Sequence, residues 1–405
     1  MTDEQMPEVI VAGAGPVGMI AALTFAHAGF AVALVGPAPK GDDARTTALM
    51  LPALRALDAI GLHLPDEETA PLAVMRIVDG TNRLLRSPPV TFRASEVGET
   101  EFGRNISNSV LNRLLEIAVR DEQRIDWHEA FIAEWVIEES HATAGMADGT
   151  SVSALLVIAA DGRNSAARGA AGITATRRDL PQSALVLNFG HSRPHGFTST
   201  EFHTEEGPFT QVPLPGERSS LVWVMSPERA GELSAIDQSE LAAIIEDRMQ
   251  SMLGRVALES RPQVWALSSA RPATLARNRV ALVGEAAHVF PPIGAQGMNL
   301  GIRDVVDLAG VAANYRGDPG SDAALAAYRR ARRGDVLARS SAVDLLNRTL
   351  LSELLPAQLA RSAGLGLMAA ASPLRVFAMR EGLSPGSGLA GLFSGLREKV
   401  RRQDA

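Results

Sequence analysis

From Val9 to Val35 the chain carries no charged residue, and its apolar positions change period twice within that span. Val9–Ala12 is a continuous apolar run, as expected of a strand buried on both faces. Pro16–Ala28 follows with apolar residues at helical spacing and proline at its first position, and Gly29 stops it. Ala31–Val35 is a second apolar run. Strand, helix and strand in that order predict a βαβ unit, and so a parallel, doubly wound sheet. A hydropathy window alone would read the same span as a membrane helix or secretory signal. The acidic start (Asp3, Glu4, Glu8) and the glycines at 13, 15 and 18 favour the buried unit instead.

Farther along, residues from about 75 to 100 alternate polar and apolar. Asn108–Arg120 has a helical pattern through Val110, Leu111, Leu114, Leu115 and Ala118. From Ser183 to about Ala266 come short strand-like runs separated by turn signals such as Pro213-Leu-Pro-Gly216. Arg279–Val283 is another apolar strand, which runs into a Pro/Gly loop before a helix opens near Gly297. Helical patterns then continue through Asp322–Ser341 and a leucine-rich run. The expected architecture is α/β. A discontinuous nucleotide-binding domain (1–75, 101–182, 267–330) holds an inserted, mainly antiparallel substrate domain (76–100, 183–266), and 331–405 form a helical C-terminal region.

At 405 residues the chain is long enough for such a two-domain core. A net charge of −7 leaves no dominant basic face, which argues against a nucleic-acid partner. With no cysteine there is no disulfide, thiol nucleophile or Cys-ligated metal, and the eight histidines show no metal-binding spacing, so no metal is expected. A reducing cytoplasm fits this composition.

Three segments carry chemistry. Gly13-Ala-Gly-Pro-Val-Gly18 fits GxGxxG between two strands: a tight turn, a close approach to pyrophosphate, and close helix–strand packing. Gly386-Ser-Gly-Leu-Ala-Gly391 matches the same expression but follows no strand and reads as a loop. The acidic residue expected at the end of the second strand, for an adenosine ribose, is replaced by Gly36, with Asp42 or Asp43 as substitutes. Leu156-Val-Ile-Ala-Ala-Asp-Gly-Arg-Asn-Ser165 is a strand ending in Asp-Gly, alone no more than a turn. The third is Gly284-Glu-Ala-Ala-His-Val-Phe-Pro-Pro-Ile-Gly-Ala-Gln-Gly-Met-Asn-Leu-Gly-Ile-Arg-Asp304. It aims a helix N-terminus, with free N–H groups and a positive dipole end, at an electron-rich ligand. Within it His288 has two readings, an acid–base catalyst or a turn histidine bonded to backbone.

With Ala44-Arg-Thr-Thr-Ala-Leu49, Tyr328-Arg-Arg-Ala-Arg-Arg333 and Met379-Arg-Glu-Gly382, these segments resemble the group A flavoprotein aromatic hydroxylases, the p-hydroxybenzoate hydroxylase class. More narrowly they resemble the ubiquinone-biosynthesis hydroxylases, over nearly the whole chain. The resemblance implies FAD as cofactor, NAD(P)H as a transient reductant without a nucleotide domain of its own, and O2. One oxygen atom is passed to a phenolic ring, the substrate being a polyprenylated phenol or quinone precursor. It implies that Gly13, Gly15, Val17 and Gly18 hold the pyrophosphate, with Arg45 nearby and Asp161 at the centre. Gly284 and Glu285 take the ribityl chain, where the family has Gly-Asp. The amides of Gly297, Met298 and Asn299 face the flavin pyrimidine end, and Pro292 walls the reacting oxygen. Arg104 is the basic substitute for a family arginine near Ser109. Phe209, Gln211 and Trp223 are substrate candidates, with core packing as the competing reading.

Two other functions stay open on the sequence: a flavin-dependent reductase or epoxidase of an isoprenoid lipid, and a non-catalytic subunit of a quinone-biosynthesis complex. The leucine-rich segment 342–370 and the basic tail around Leu392–Arg402 suggest peripheral attachment to the inner face of the membrane or to such a complex.

Overall fold

The computed structural model describes residues 6–39, 41, 43, 45–81, 86–291, 296–334, 366 and 370–383. Pro292, Asp42, the second glycine motif, nearly all of segment 342–370 and the basic tail lie outside the described residues.

Strands β1 (Val9–Ala12), β2 (Val32–Val35), β8 (Ile125–His128), β12 (Leu156–Ala159), β19 (Ala276–Arg277) and β20 (Val280–Leu282) form one sheet in the order β19-β20-β12-β1-β2-β8. All its pairs are parallel except β19 with β20. β1 and β12 are buried on both faces, which is why they read as unbroken apolar runs. Helix α1 (Pro16–His27) packs against α7 (Gln296–Asn314) on one face with Met19, Phe25, Ile302 and Val305 in the core. α3 (Asn108–Asp121) adds Leu111, Leu115 and Val119 to that core. The other face is covered by a second layer, β9 (Ile132–Ile137), β10 (Ala142–Met146) and β11 (Ser151–Ala154), together with α4 (Ala166–Ala170).

The second domain is an eight-stranded sheet built from two separate stretches of chain. Its strands are β5 (Val74–Asp79), β6 (Val90–Arg93), β13 (Ala175–His191), β14 (Thr198–His203), β15 (Pro208–Leu214), β16 (Arg218–Met225), β17 (Val256–Leu258) and β18 (Gln263–Pro272). β13 starts at Ala175, earlier than the inserted segment expected from position 183. Its first residues are the polar run Thr176-Arg-Arg-Asp179, and a register shift between Asp179 and Ser183 separates them from the apolar half. Helices α5 (Pro227–Ala235) and α6 (Gln238–Arg248), capped by Ser226 and Asp237, close one face of this sheet. A small sheet of β3 (Thr46–Met50), β4 (Thr69–Pro71) and β7 (Gly103–Ser107) stands over the other, with α2 (Leu51–Ala59) leading away from it. α8 (322–334) returns to the first domain, and α9 (Ser372–Leu383) sets Val376 and Met379 against Met75, Phe92 and Phe102.

Candidate functional site

The turn after β1 is shaped by its glycines. Gly13 has φ +102°, and a Cβ there would lie 2.6 Å from the carbonyl oxygen of Ala160; a Cβ on Gly18 would lie 1.8 Å from that of Gly13. A Cβ on Gly15 would meet nothing within 4 Å. So Gly13 and Gly18 are required by packing, whereas Gly15 borders open space at the N-terminus of α1, where a phosphate is favoured. Val17 turns its side chain away from that space: it fills the gap between α1 and the glycines at 284 and 301.

Gly36 also has a packing reason. A Cβ there would stand 2.7 Å from the amide nitrogen of Ala14, and its carbonyl accepts from the Trp127 indole at 2.9 Å. A side chain at the end of β2 would therefore push into the nucleotide turn. Asp43 is already engaged: its carboxylate accepts from Arg45 Nε and Nη2, both at 2.8 Å, and from Asn108 Nδ2 at 3.0 Å. Burial opposes the charge of Asp43, but these bonds outweigh it and hold the carboxyl below its usual range. The Arg45 guanidinium, so fixed, lies over the Trp265 ring at 4.7 Å, and the charges of Asp43 and Glu285 raise its pKa.

Asp161 follows β12. Its Oδ2 accepts from Ala167 N at 3.0 Å and caps α4, while its buried Oδ1 has no partner. A buried carboxylate oxygen without a donor marks a place for a hydroxyl-bearing ligand. Arg168, to which the sequence reading gave no role, donates to the carbonyls of Ala286 and Arg163 at 3.0 Å and ties this turn to the Gly284 loop. Glu285 is half exposed and faces Arg163 at 3.4 Å. Gly297 borders open space at the start of α7. Asn299 anchors that helix end: its Oδ1 accepts from Met50 N and its Nδ2 donates to Ala48 O, both at 2.8 Å. The segments around 13–18, 45–50, 161–168 and 284–301 thus meet, although they are far apart in sequence. Open space beside two helix N-termini, an orphaned carboxylate oxygen, and arginines at 45 and 163 fit a dinucleotide such as FAD.

Other expected residues lie elsewhere. The Arg104 guanidinium is held by Asp66, by Glu101 at 2.8 Å and by Thr69, through its Nε and Nη1. The His288 side chain bonds a buried carboxylate, whereas a turn backbone is one of the two expected partners. Its Nε2 pairs with Asp304 Oδ2 at 2.7 Å, its ring stacks on Phe290, and its side chain is 2% exposed. Asp304 also accepts from Gly284 N at 3.1 Å and from buried Arg332 at 2.7 Å, and Arg332 reaches Asp307 at 2.9 Å. Nearby, Tyr328 donates to Leu282 O, and burial pushes its phenol far above the usual range. Breaking such a buried ion set by removing one member costs about 3–5 kcal/mol.

Phe209, Gln211 and Trp223 require correction as substrate candidates. β15 and β16 pair Phe209 with Trp223 and Gln211 with Leu221, which places all four on the face under α5 and α6. Phe209 and Trp223 pack edge to face at 5.1 Å, and Gln211 donates to Ser219 Oγ at 2.9 Å. The opposite face holds Thr210, Val212 and Val222, all only partly buried, below the small β3-β7-β4 sheet. There Thr46 Oγ1 donates to Ser220 Oγ at 2.9 Å. Strand alternation moved the cleft one residue from the aromatic positions that attract notice.

The FAD binding domain family matches residues 6–339. Ubiquinone hydroxylase UbiL of Rhodospirillum rubrum is 33% identical over 94% of this chain and 90% of its own length. The 3-demethoxyubiquinol 3-hydroxylase of Escherichia coli is 29% identical over 90% of this chain and 95% of its own. Among solved structures, PqsL of Pseudomonas aeruginosa, a probable FAD-dependent monooxygenase, superposes with a TM-score of 0.76 at 23% identity, covering 89% of this chain and 99% of that one. HpxO of Klebsiella pneumoniae, complexed with FAD and uric acid, gives 0.74 at 20% identity over 95% and 98%. These two show the shared fold. The chain belongs to the FAD-binding-domain family, together with the ubiquinone hydroxylases, and is an FAD-dependent monooxygenase.

Proposed function

We propose that the protein hydroxylates the aromatic ring of a polyprenylated phenol in ubiquinone biosynthesis, with NAD(P)H as reductant and O2 as oxygen source. The observation that carries this reading is the apolar floor formed by Thr210, Val212 and Val222, between the Arg45–Trp265 contact and the Met50–Met75–Phe92 cluster. The likeness to UbiL and to the E. coli hydroxylase supports the ring as the acceptor.

Bound FAD supplies the redox chemistry. The protein's part is position, charge and dryness. The turn at Gly13–Gly18 offers amides and the α1 dipole to the pyrophosphate. Asp161 Oδ1 is placed to accept from a cofactor hydroxyl, and Glu285, one methylene longer than the family's aspartate, serves the ribityl chain. The amides at Gly297–Asn299 present the positive end of α7 to the electron-rich edge of the ring system, worth about 0.3–2 kcal/mol for an anion. Pro292 belongs to the proposed wall that keeps water out.

Among the described residues no helix is long and apolar enough to cross a membrane. Contact with the bilayer, the natural reservoir of a polyprenylated substrate, or with a biosynthetic complex is proposed through the C-terminal region. The deciding experiment combines purified FAD-loaded protein, NAD(P)H, 18O2 and the precursor that accumulates when the gene is deleted. The expected product carries one 18O on the ring. Substrate-stimulated NAD(P)H oxidation that needs no O2 would overturn the reading in favour of a reductase.

A further inference from the structure

On the cleft face of the inserted sheet, β14 contributes a carboxylate–imidazole pair that the FAD site does not use. Glu201 Oε1 accepts from His203 Nε2 at 2.8 Å, and Glu201 Oε2 accepts from Thr210 Oγ1 at 3.3 Å. The His203 side chain is 4% exposed and that of Glu201 17%. His203 Nδ1 has no partner.

Register places the pair. Glu201 stands opposite Thr210, which stands opposite Val222, so the three share one row across β14, β15 and β16 on the cleft face. The row on one side contains Ser220, where Thr46 touches the sheet. The row on the other runs from Trp265 through Ala184 and Val224, and Trp265 lies beneath Arg45. With strands about 4.8 Å apart, Glu201 is about 10 Å from Val222 along the floor. Its row falls between the rows of Ser220 and Trp265, and Glu201 itself lies two strands beyond β16 on the β5 side. Among the described residues, the neighbouring strands bring one further carboxylate to this face. β15 offers Pro208, Thr210 and Val212, and β5 offers Ile77 and Asp79, the latter level with His203 and accepting from Thr81 and Ser87. Arg45 is farther along the same face.

A carboxylate this far buried, on a floor of Thr, Val and Ile, costs several kcal/mol to desolvate unless it is bonded. Among the described residues Oε2 accepts only from Thr210, and the Glu201 side chain keeps 17% of its exposure. A phenol ring reacts with an electrophilic oxygen far faster once its hydroxyl is ionised, and an acceptor at hydrogen-bond distance from that hydroxyl is what the step needs. We infer that Glu201 accepts the proton of the substrate's ring hydroxyl and that His203 is the positioning residue that orients it. In the step the substrate O–H bond breaks, its electron pair stays on oxygen and flows into the ring, and the proton passes to Glu201 Oε2. It returns to the oxygen as product forms. This inference rests on the proposed phenol substrate.

Two measurements on the FAD-loaded full chain test it separately from that reading. A short-chain prenylated nitrophenol, whose phenolate absorbs in the visible, is titrated into wild type, Glu201→Gln and His203→Gln near pH 6. The expected result is an ionised probe in wild type, a neutral bound probe in Glu201→Gln, and a weaker phenolate band in His203→Gln. Turnover on the unsubstituted phenol should fall about 10²- to 10⁴-fold in Glu201→Gln. Its flavin spectrum, NAD(P)H reduction rate and melting temperature should be unchanged. Activity should recover with rising pH and with ring-fluorinated, more acidic substrates. A probe that binds wild type but stays neutral, or Glu201→Gln turnover with wild-type rate and pH profile, overturns the assignment while leaving hydroxylation intact. Ionisation of the probe without any hydroxylated product from a phenol would uphold the acceptor and sink the proposed reaction.

Discussion

Single residues divide by whether packing or ligand demands them, and the two glycines of the nucleotide turn make that division measurable. Gly18→Ala would drive a methyl to 1.8 Å from the Gly13 carbonyl oxygen and should prevent β1–α1 from forming, seen as loss of soluble, cooperatively melting protein. Gly15→Ala meets nothing and is an N-cap with extended backbone, so the FAD-free fold should lose no more than about 1 kcal/mol. Its FAD affinity should nevertheless fall at least tenfold, about 1.4 kcal/mol, by fluorescence titration. Equal FAD affinity in Gly15→Ala would show that the open space is not the phosphate site. Asp43 provides a pH-dependent case. Its folded pKa lies below the unfolded value of 3.8, so its contribution is complete above that value and disappears as pH falls through the folded one. Asp43→Asn should cost about 1.5 kcal/mol in urea unfolding at pH 7, the low end for a charge-assisted bond because Arg45 is 42% exposed. The difference from wild type should shrink as pH falls below 3.8 and through the folded pKa.

At the scale of elements, much was readable and the failures have one cause. The βαβ opening appears as β1 (Val9–Ala12), α1 (Pro16–His27) and β2 (Val32–Val35), because unbroken apolar runs and an N1 proline leave little choice. The segments that meet around the nucleotide turn were legible because glycine and Asp-Gly patterns report backbone constraints locally. Which face of β15 and β16 lines the cleft was not legible. Period-2 alternation defines two faces and does not say which one a distant helix will cover. Nor did His288 announce its partner, since Asp304 lies sixteen residues on and Arg332 lies on another helix. The face assignment has a direct check. Trp223→Ala should cost about 3–5 kcal/mol in denaturant unfolding and leave the KM of the surviving fold close to wild type. Val222→Phe should cost less than Trp223→Ala, about 1–3 kcal/mol, but raise KM for the lipophilic substrate severalfold. The reverse pattern would put the cleft under α5 and α6.

The molecule as a whole is built on two large sheets, each with a small sheet packed on it, and the proposed cofactor lies where their supporting segments converge. On the side of the second sheet the bridge includes Arg45 over Trp265, Thr46 on Ser220, the Asn105 amide on the Pro213 carbonyl at 2.8 Å, and a backbone bridge between Ala270 and Val289. On the side of the first it consists of Asn299 between α7 and β3, and Arg168 between the turn at Asp161 and the loop at Gly284. FAD bound among these segments should therefore stabilise both sheets together. At one hundred times its Kd the gain is about 2.7 kcal/mol, several degrees in Tm at roughly 2–4 °C per kcal/mol for domains of this size. The four tryptophans report the two regions separately, Trp127 and Trp135 in the first, Trp223 and Trp265 in the second. With Trp127 and Trp135 replaced by Phe, fluorescence follows only the inserted sheet. Adding FAD to stripped protein should raise that transition as much as the one followed by far-ultraviolet circular dichroism. A rise in the dichroism transition alone would mean that the cofactor fastens only the first domain, leaving the cleft floor to be fixed by substrate.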